Sequence, residues 1–318
     1  MINIKRYTQN DKKEWNTFNA SAKNSLFMFD RNYMDYHSDR FKDHSLMFYD
    51  EKSKLLAVLP MNEKDGVFYS HGGLTYGGFI TGFGMKQHLM NECMNSLIEY
   101  CRINSIRKII YKTIPHIYCT QSAEEDRFAL FLHSAKLITV DVSTYVNLSD
   151  PIKIVKGRKA QISKAKREMV YVKLCNTDRE YYRFIELENE VLLNRHGTKA
   201  VHSGNELYML HESFPSNIHL FGAFHKNEMI GGVVLYEYAD VIHTQYMAAN
   251  DDARMLGALD LTIDYIMEKY RIDKKWLDFG ISTEHGRIYL NEGLVAQKEG
   301  FGGRTGIYEI WEINIDQA

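Results

Sequence analysis

The chain has 318 residues, long for one hydrophobic core and comfortable for two domains of ordinary size. Its 45% hydrophobic and 25% charged residues exclude wholesale disorder, and its formal net charge of −2 argues against a general nucleic-acid binder. No run reaches the roughly 18 apolar residues of a spanning helix, and Met1–Lys5 lacks a signal-peptide core, so the sequence reads as cytoplasmic with no membrane partner.

In chain order, Leu46–Tyr49 and Leu55–Met61 flank a polar turn at Asp50–Lys54 and read as a hairpin. A strand near Gly66–Ser70 and a glycine-rich loop lead into a helix over Met85–Ile103. Strand Ile106–Lys112, helix Ala123–Ala135 and a long strand Leu137–Leu148 follow. Cys93 and Cys101 sit among the apolar positions of the first of these helices, and no cysteine has metal-ligand spacing, so no metal is expected. Pro151, suited to a first helical turn, places a domain boundary at Ser149–Pro151, giving domains 1–150 and 151–318.

The second half repeats the order: strand Leu220–Phe224, turn His225–Glu228, strands Ile230–Tyr238 and Val241–Met247, and a helix from Gly257 to about Tyr270. Strand Lys275–Gly280, helix Leu290–Glu299 and strand Thr305–Ile313 complete it. The two series are offset by roughly 170 residues, the signature of an internal duplication. The expected fold is α/β, with two mixed, twisted sheets each flanked by helices.

Two segments carry candidate ligand chemistry. The helix from Ile152 to about Met169 bears Lys153, Lys156, Arg158, Lys159, Lys164, Lys166 and Arg167. Most of these suit a solvated face, but Arg158 shares the stripe of Ile162 and Ala165 and needs a partner there. A buried carboxylate would serve, and so would a bound diphosphate, with Lys159 beside it. The loop Tyr69–Phe79 holds four glycines and three aromatic rings. Such a loop is either structural or a ligand wall on which Tyr69, His71 or Tyr76 would stack or bond.

The segment Asn250–Leu259 joins a strand to a helix N-terminus through a glycine turn, an arrangement that concentrates free N–H groups and positive potential. Arg254 adds a planar fork suited to phosphate. Arg254-x-x-Gly257-x-Leu259 resembles the pyrophosphate-binding turn of GNAT acyltransferases, with Leu259 where that turn usually has Gly or Ala. The Asp278-Phe279-Gly280 strand end and Lys298-Glu299-Gly300-Phe301-Gly302-Gly303 resemble the FemAB-like branch, built from tandem GNAT modules.

The resemblance implies acyl-CoA as co-substrate, acetyl-CoA or a short hydroxyacyl-CoA, entering a wedge between strands 241–247 and 275–281. Met247, Ala248, Arg254, Leu256, Gly257, Ala258 and Leu259 would bind it, and the first module, lacking the matching Arg, would not. The acceptor would be the amino group of a dTDP- or UDP-linked amino sugar for cell-surface polysaccharide synthesis. Arg158 and Lys159 would face its diphosphate, and Tyr69, His71, Tyr76, Tyr246 and Asp278 would contact the rest. Aminoacyl-tRNA, used by some FemAB relatives, and a non-catalytic binding module are the alternatives.

Acyl transfer to an amine needs a base near neutrality. His243, Asp278 and the loop pair Glu284-His285 are the candidates, and Tyr289 is the nearest tyrosine in the place of the family's usual acid. Simple strand alternation puts His243 and Tyr246 on opposite faces. The oligomeric state is open, a homodimer included.

Overall fold

The computed structural model describes residues 2–284 and 288–318. The chain divides into two compact units, Met1–Asp141 with Ile307–Ala318, and Val142–Gly306. The division falls inside a strand rather than at Ser149–Pro151, and the last strand returns to the first unit.

The first stretch of chain gives strand β1 (Asn3–Arg6), helices α1 (Lys12–Ala20) and α2 (Arg31–Met34), and strands β2 (Leu46–Tyr49), β3 (Leu55–Leu59), β4 (Asn62–Lys64), β5 (Val67–Tyr69) and β6 (Ile80–Thr81). Helix α3 (Gln87–Ile103), strand β7 (Lys108–Lys112), helix α4 (Glu125–Leu132) and strand β8 (Lys136–Asn147) follow. Next come α5 (Lys156–Arg167), β9 (Tyr171–Cys175), α6 (Asp178–His196), α7 (Gly204–Ser213), β10 (Ile218–His225), β11 (Glu228–Glu237) and β12 (Val241–Ala249). The chain ends with α8 (Asp251–Leu256), α9 (Ala258–Tyr270), β13 (Trp276–Ile281), β14 (Thr283–Glu284), β15 (Tyr289–Leu290), α10 (Glu292–Glu299) and β16 (Arg304–Asn314).

The first unit has two sheets, β1-β2-β3-β6 and one in which β4, β5 and β7 precede β16. Pro60, which has no N–H to donate, stands between β3 and β4 where the strands change sheet. Helix α3 buries Met90, Cys93, Met94, Leu97, Ile98 and Cys101, the expected apolar face, against this core. With β6 before it, α3 forms part of the connection from β5 to the parallel strand β7.

The second unit carries the sheet order β8-β13-β12-β11-β10-β9. Its parallel pair, β12 and β13, is joined through α8 and α9, so each unit contains a parallel strand pair linked through helix. One sheet face is an apolar core: Val233, Leu235, Ile242, Leu277 and Phe279 pack with Ile263, Ile266 and Met267 of α9. Helix α6 packs on β10, β11 and β12, with Phe184 against Gly232 of β11. Because Gly232 and Val233 point to opposite sides, α6 lies on the other face from α9.

Candidate active site in the second unit

Strands β12 and β13 pair only over Val241↔Trp276, Ile242↔Leu277 and His243↔Asp278. β12 then runs on to Ala249 and β13 to Ile281 with no further ladder between them. The parallel pair therefore opens from His243 and Asp278 onward. Around this opening the strand face toward α6 carries His243, Tyr246 and Asp278, whereas the face toward α9 is largely hydrocarbon.

A β-bulge sets which side chains reach that polar face. On β12, Leu235 pairs with Thr244 but Val234 pairs with Tyr246, so Gln245 is the extra residue. Tyr236 and Val234 share a face, and their partners His243 and Tyr246 must share it too. The expectation from simple alternation, that these two residues oppose each other, is corrected by this one inserted residue. The hydroxyl of Tyr246 is hydrogen-bonded to Nδ1 of buried His202, in the segment before α7.

Asp278 is fully buried at the start of the opening. Its Oδ1 accepts from Ser143 Oγ at 2.7 Å and from the Gly280 N–H at 2.8 Å, and its Oδ2 lies 3.3 Å from His243 Nδ1. Beyond it, buried Lys298 donates to the carbonyls of Gly280 (2.8 Å) and Ile281 (2.9 Å) and to Ser282 Oγ (2.8 Å). Burial lowers the Lys298 ammonium to about 8, against the opposing pull of Asp278. The Lys-x-Gly-Phe-Gly-Gly segment thus supplies a cation that clamps the strand end after the Asp-Phe-Gly residues. Sequence reading assigned that lysine no role of its own.

Glu188 is a further residue that the candidate set omits. It lies on the inward stripe of α6 with Tyr181, Phe184 and Ile185 and is 7% exposed. Its Oε2 has no hydrogen-bond partner, and burial alone pushes the carboxyl up to about 7. Its spacing on an apolar helical stripe was the available signal, the same one that singles out Arg158.

The glycine turn has a different character from an open anion site. Asn250 caps the short α8 by accepting from the Ala253 N–H at 2.9 Å, and Gly257 ends it. Gly257 has φ +72°, and a Cβ there would come within 2.6 Å of the Gln161 carbonyl of α5, so only glycine fits. Leu256, Ala258 and Leu259 belong to the apolar contact between α5 and α9. Met247 is half-buried against the α9-side core, and Ala248 is buried opposite Gly232.

Arg254 donates to Asp251 at 2.7 Å, and Arg158 donates to Asp260 of α9 at 2.8 Å. Of the two partners left open for Arg158, the protein supplies the carboxylate. Burial raises the Asp260 carboxyl above its ordinary range, and Arg158 opposes the rise. Lys159 is exposed.

Glu284 and Tyr289 face each other in the β14–β15 hairpin, where Glu284 accepts from Asn291 Nδ2 at 2.7 Å and Tyr289 is exposed. His285 lies outside the described residues.

In the first unit, Tyr69 pairs with Asn62 and Ile110 and is half-buried. His71 is buried beside Phe41. Tyr76 is buried with its hydroxyl bonded to those of Tyr118 (2.6 Å) and Tyr308 (2.9 Å). A Cβ on Gly77 would meet the Ser70 carbonyl at 1.8 Å, so the unit's own backbone demands that glycine. Of the loop's two readings, Tyr76 and Gly77 follow the structural one.

No family model matches the chain, and no curated protein matches it. Among solved structures, FemX aligns with a TM-score of 0.66 at 11% identity, covering 96% of each chain. The C-terminal domain of a protein assigned as a lysylphosphatidylglycerol synthetase, from Agrobacterium fabrum, aligns at 0.63 with 12% identity, covering 96% of this chain and 92% of that one. A tandem GNAT protein of the clavulanic acid biosynthesis pathway aligns at 0.51 with 10% identity over 99% of both. The fold is that of the FemAB-like, tandem-GNAT proteins, α/β throughout.

Proposed function

We propose that this protein is an N-acyltransferase whose donor enters the opening between β12 and β13 of the second unit. The observation that carries the reading is the ladder that stops at His243 and Asp278 while both strands continue. An unpaired strand edge accepts an extended amide chain as an added strand, and the pantetheine arm of acyl-CoA is such a chain. Its thioester would then stand on the side of β12 that carries His243 and Tyr246, the side on which α6 with Glu188 packs. Amine attack on a thioester needs approach in a fixed orientation and a base near neutral pH, both of which that face can supply.

The finer reading is transfer of an acetyl or short hydroxyacyl group to a dTDP- or UDP-linked amino sugar. Arg254 supports the donor side, because its partner Asp251 is exposed and a surface pair of this kind is worth about 1 kcal/mol or less. A phosphate can therefore take its place at small cost. On the acceptor side Arg158 is already neutralised by Asp260, so exposed Lys159 is the better ligand for a second diphosphate. The likeness to a lysylphosphatidylglycerol synthetase domain makes an aminoacyl ester the alternative donor for the same opening.

The test is thiol release from acetyl-CoA by the purified protein with a panel of dTDP- and UDP-amino sugars. Release that requires both substrates is expected. Release that is independent of the sugar, or none across the panel, would remove this reading and turn the search to aminoacyl esters.

A further inference from the structure

A carboxyl oxygen buried without a partner is expensive, and helix α6 carries one in Oε2 of Glu188, a residue 7% exposed at an inward position where an apolar side chain would pack. The elements packed on α6 are α7, β10, β11 and β12. Several titratable groups on these elements and on the segment leading into α7 have partners elsewhere. His211 is bonded to the Ile218 carbonyl, His219 to Glu237, Glu237 also to Lys274, and Tyr246 to His202, while His243 lies 3.3 Å from Asp278. None of these supplies the cation that Glu188 lacks. Asn189, the next residue, accepts from the Ala200 N–H at 2.8 Å and ties this end of α6 to the segment that delivers His202 to Tyr246.

We propose that Glu188 is the acceptor-amine site: its carboxylate binds the ammonium of a primary-amine substrate and takes the proton that must leave before acylation. This rests on the acyltransfer reading and adds the charge class of the acceptor. The ammonium gives one proton to Glu188, and the neutral amine nitrogen attacks the thioester carbon. The C–N bond forms, the C–S bond breaks, the remaining proton released from nitrogen goes to the departing thiolate, and Glu188 returns its proton to solvent. A carboxyl near neutral pH is matched to this exchange, since it is ionised often enough to accept and acidic enough to release.

The test uses the full-length protein with 13C-labelled glutamate, ethylammonium chloride as the probe and tetramethylammonium chloride as its N–H-free control. Glu188→Gln identifies the resonance, and Glu188→Asp serves as the conservative variant. One carboxyl should titrate near neutrality, vanish in Glu188→Gln, and move its midpoint downward with ethylammonium but not with tetramethylammonium. A Glu188 resonance that titrates in the ordinary range, or ignores ethylammonium, would overturn the proposal even if thiol release is observed. Where turnover with an amino sugar is measurable, Glu188→Gln should lower kcat by roughly 100-fold or more with little change in KM for acetyl-CoA, and Glu188→Asp should recover part of it. Unchanged kcat would equally overturn it. If no amine supports thiol release, the acyltransfer reading fails while the ammonium titration still decides the site.

Discussion

Glu188, His243 and Tyr246 are ordinary residues made consequential by what surrounds them. For Glu188 the surroundings have a measurable cost. Its folded-state carboxyl sits at about 7, against 4.5 for the free side chain, so the unfolded chain ionises first. Stability is therefore full below about pH 4.5, falls as pH rises toward 7, and levels off above it, a loss of roughly 3 kcal/mol. Glu188→Gln removes the ionisation and keeps the shape. In urea denaturation the variant should match the wild type near pH 4 and exceed it by up to about 3 kcal/mol at pH 8. Equal differences at both pH values would mean that the carboxyl is not held up by burial. The residue scale was partly legible. The reasoning that an ionisable group on an apolar stripe needs a partner singles out Arg158, whose partner is Asp260. Applied to Tyr181–Ile185–Glu188 the same reasoning finds the group with none.

At the element scale, the decisive feature is one extra residue in β12. Alternation along a strand is readable from sequence, but a bulge depends on how the neighbouring strand registers, and β11 offers no local sign that Val234 and Leu235 will skip Gln245. The turn at Gly257 shows the converse limit. Its glycine and its helix start were legible, whereas the close approach of α5 to that glycine is a long-range contact that no turn pattern encodes. The bulge predicts a coupling that can be measured. His202→Ala and Tyr246→Phe, made singly and together, should show an interaction of about 1 kcal/mol in thermal unfolding, because the two groups share one hydrogen bond. Deleting Gln245 should preserve that coupling, because the strand then alternates regularly and Tyr246, two places after His243, stays on the α6 face. Loss of the coupling in the deletion variant would show that the pairing register is not what orients the ring.

For the whole molecule, the duplicated order of elements and the mixed α/β architecture were legible because hydrophobic periodicity and turn residues repeat along the chain. The return of β16 to pair with β7 in the first unit was not, since nothing local to Ile307–Asn314 names its partner strand. The duplication also ends in unlike chemistry. The first unit closes its glycine-rich loop on its own backbone and ties Tyr76 into a buried trio of hydroxyls. The second leaves its parallel pair open beside a polar face. A donor is therefore expected to occupy that opening, and hydrogen exchange measured with and without acetyl-CoA tests this directly. Bound donor should slow exchange in peptides covering residues 244–260 and 278–282 and leave residues 46–112 unchanged. No protection at saturating acetyl-CoA, or protection confined to the first unit, would contradict it.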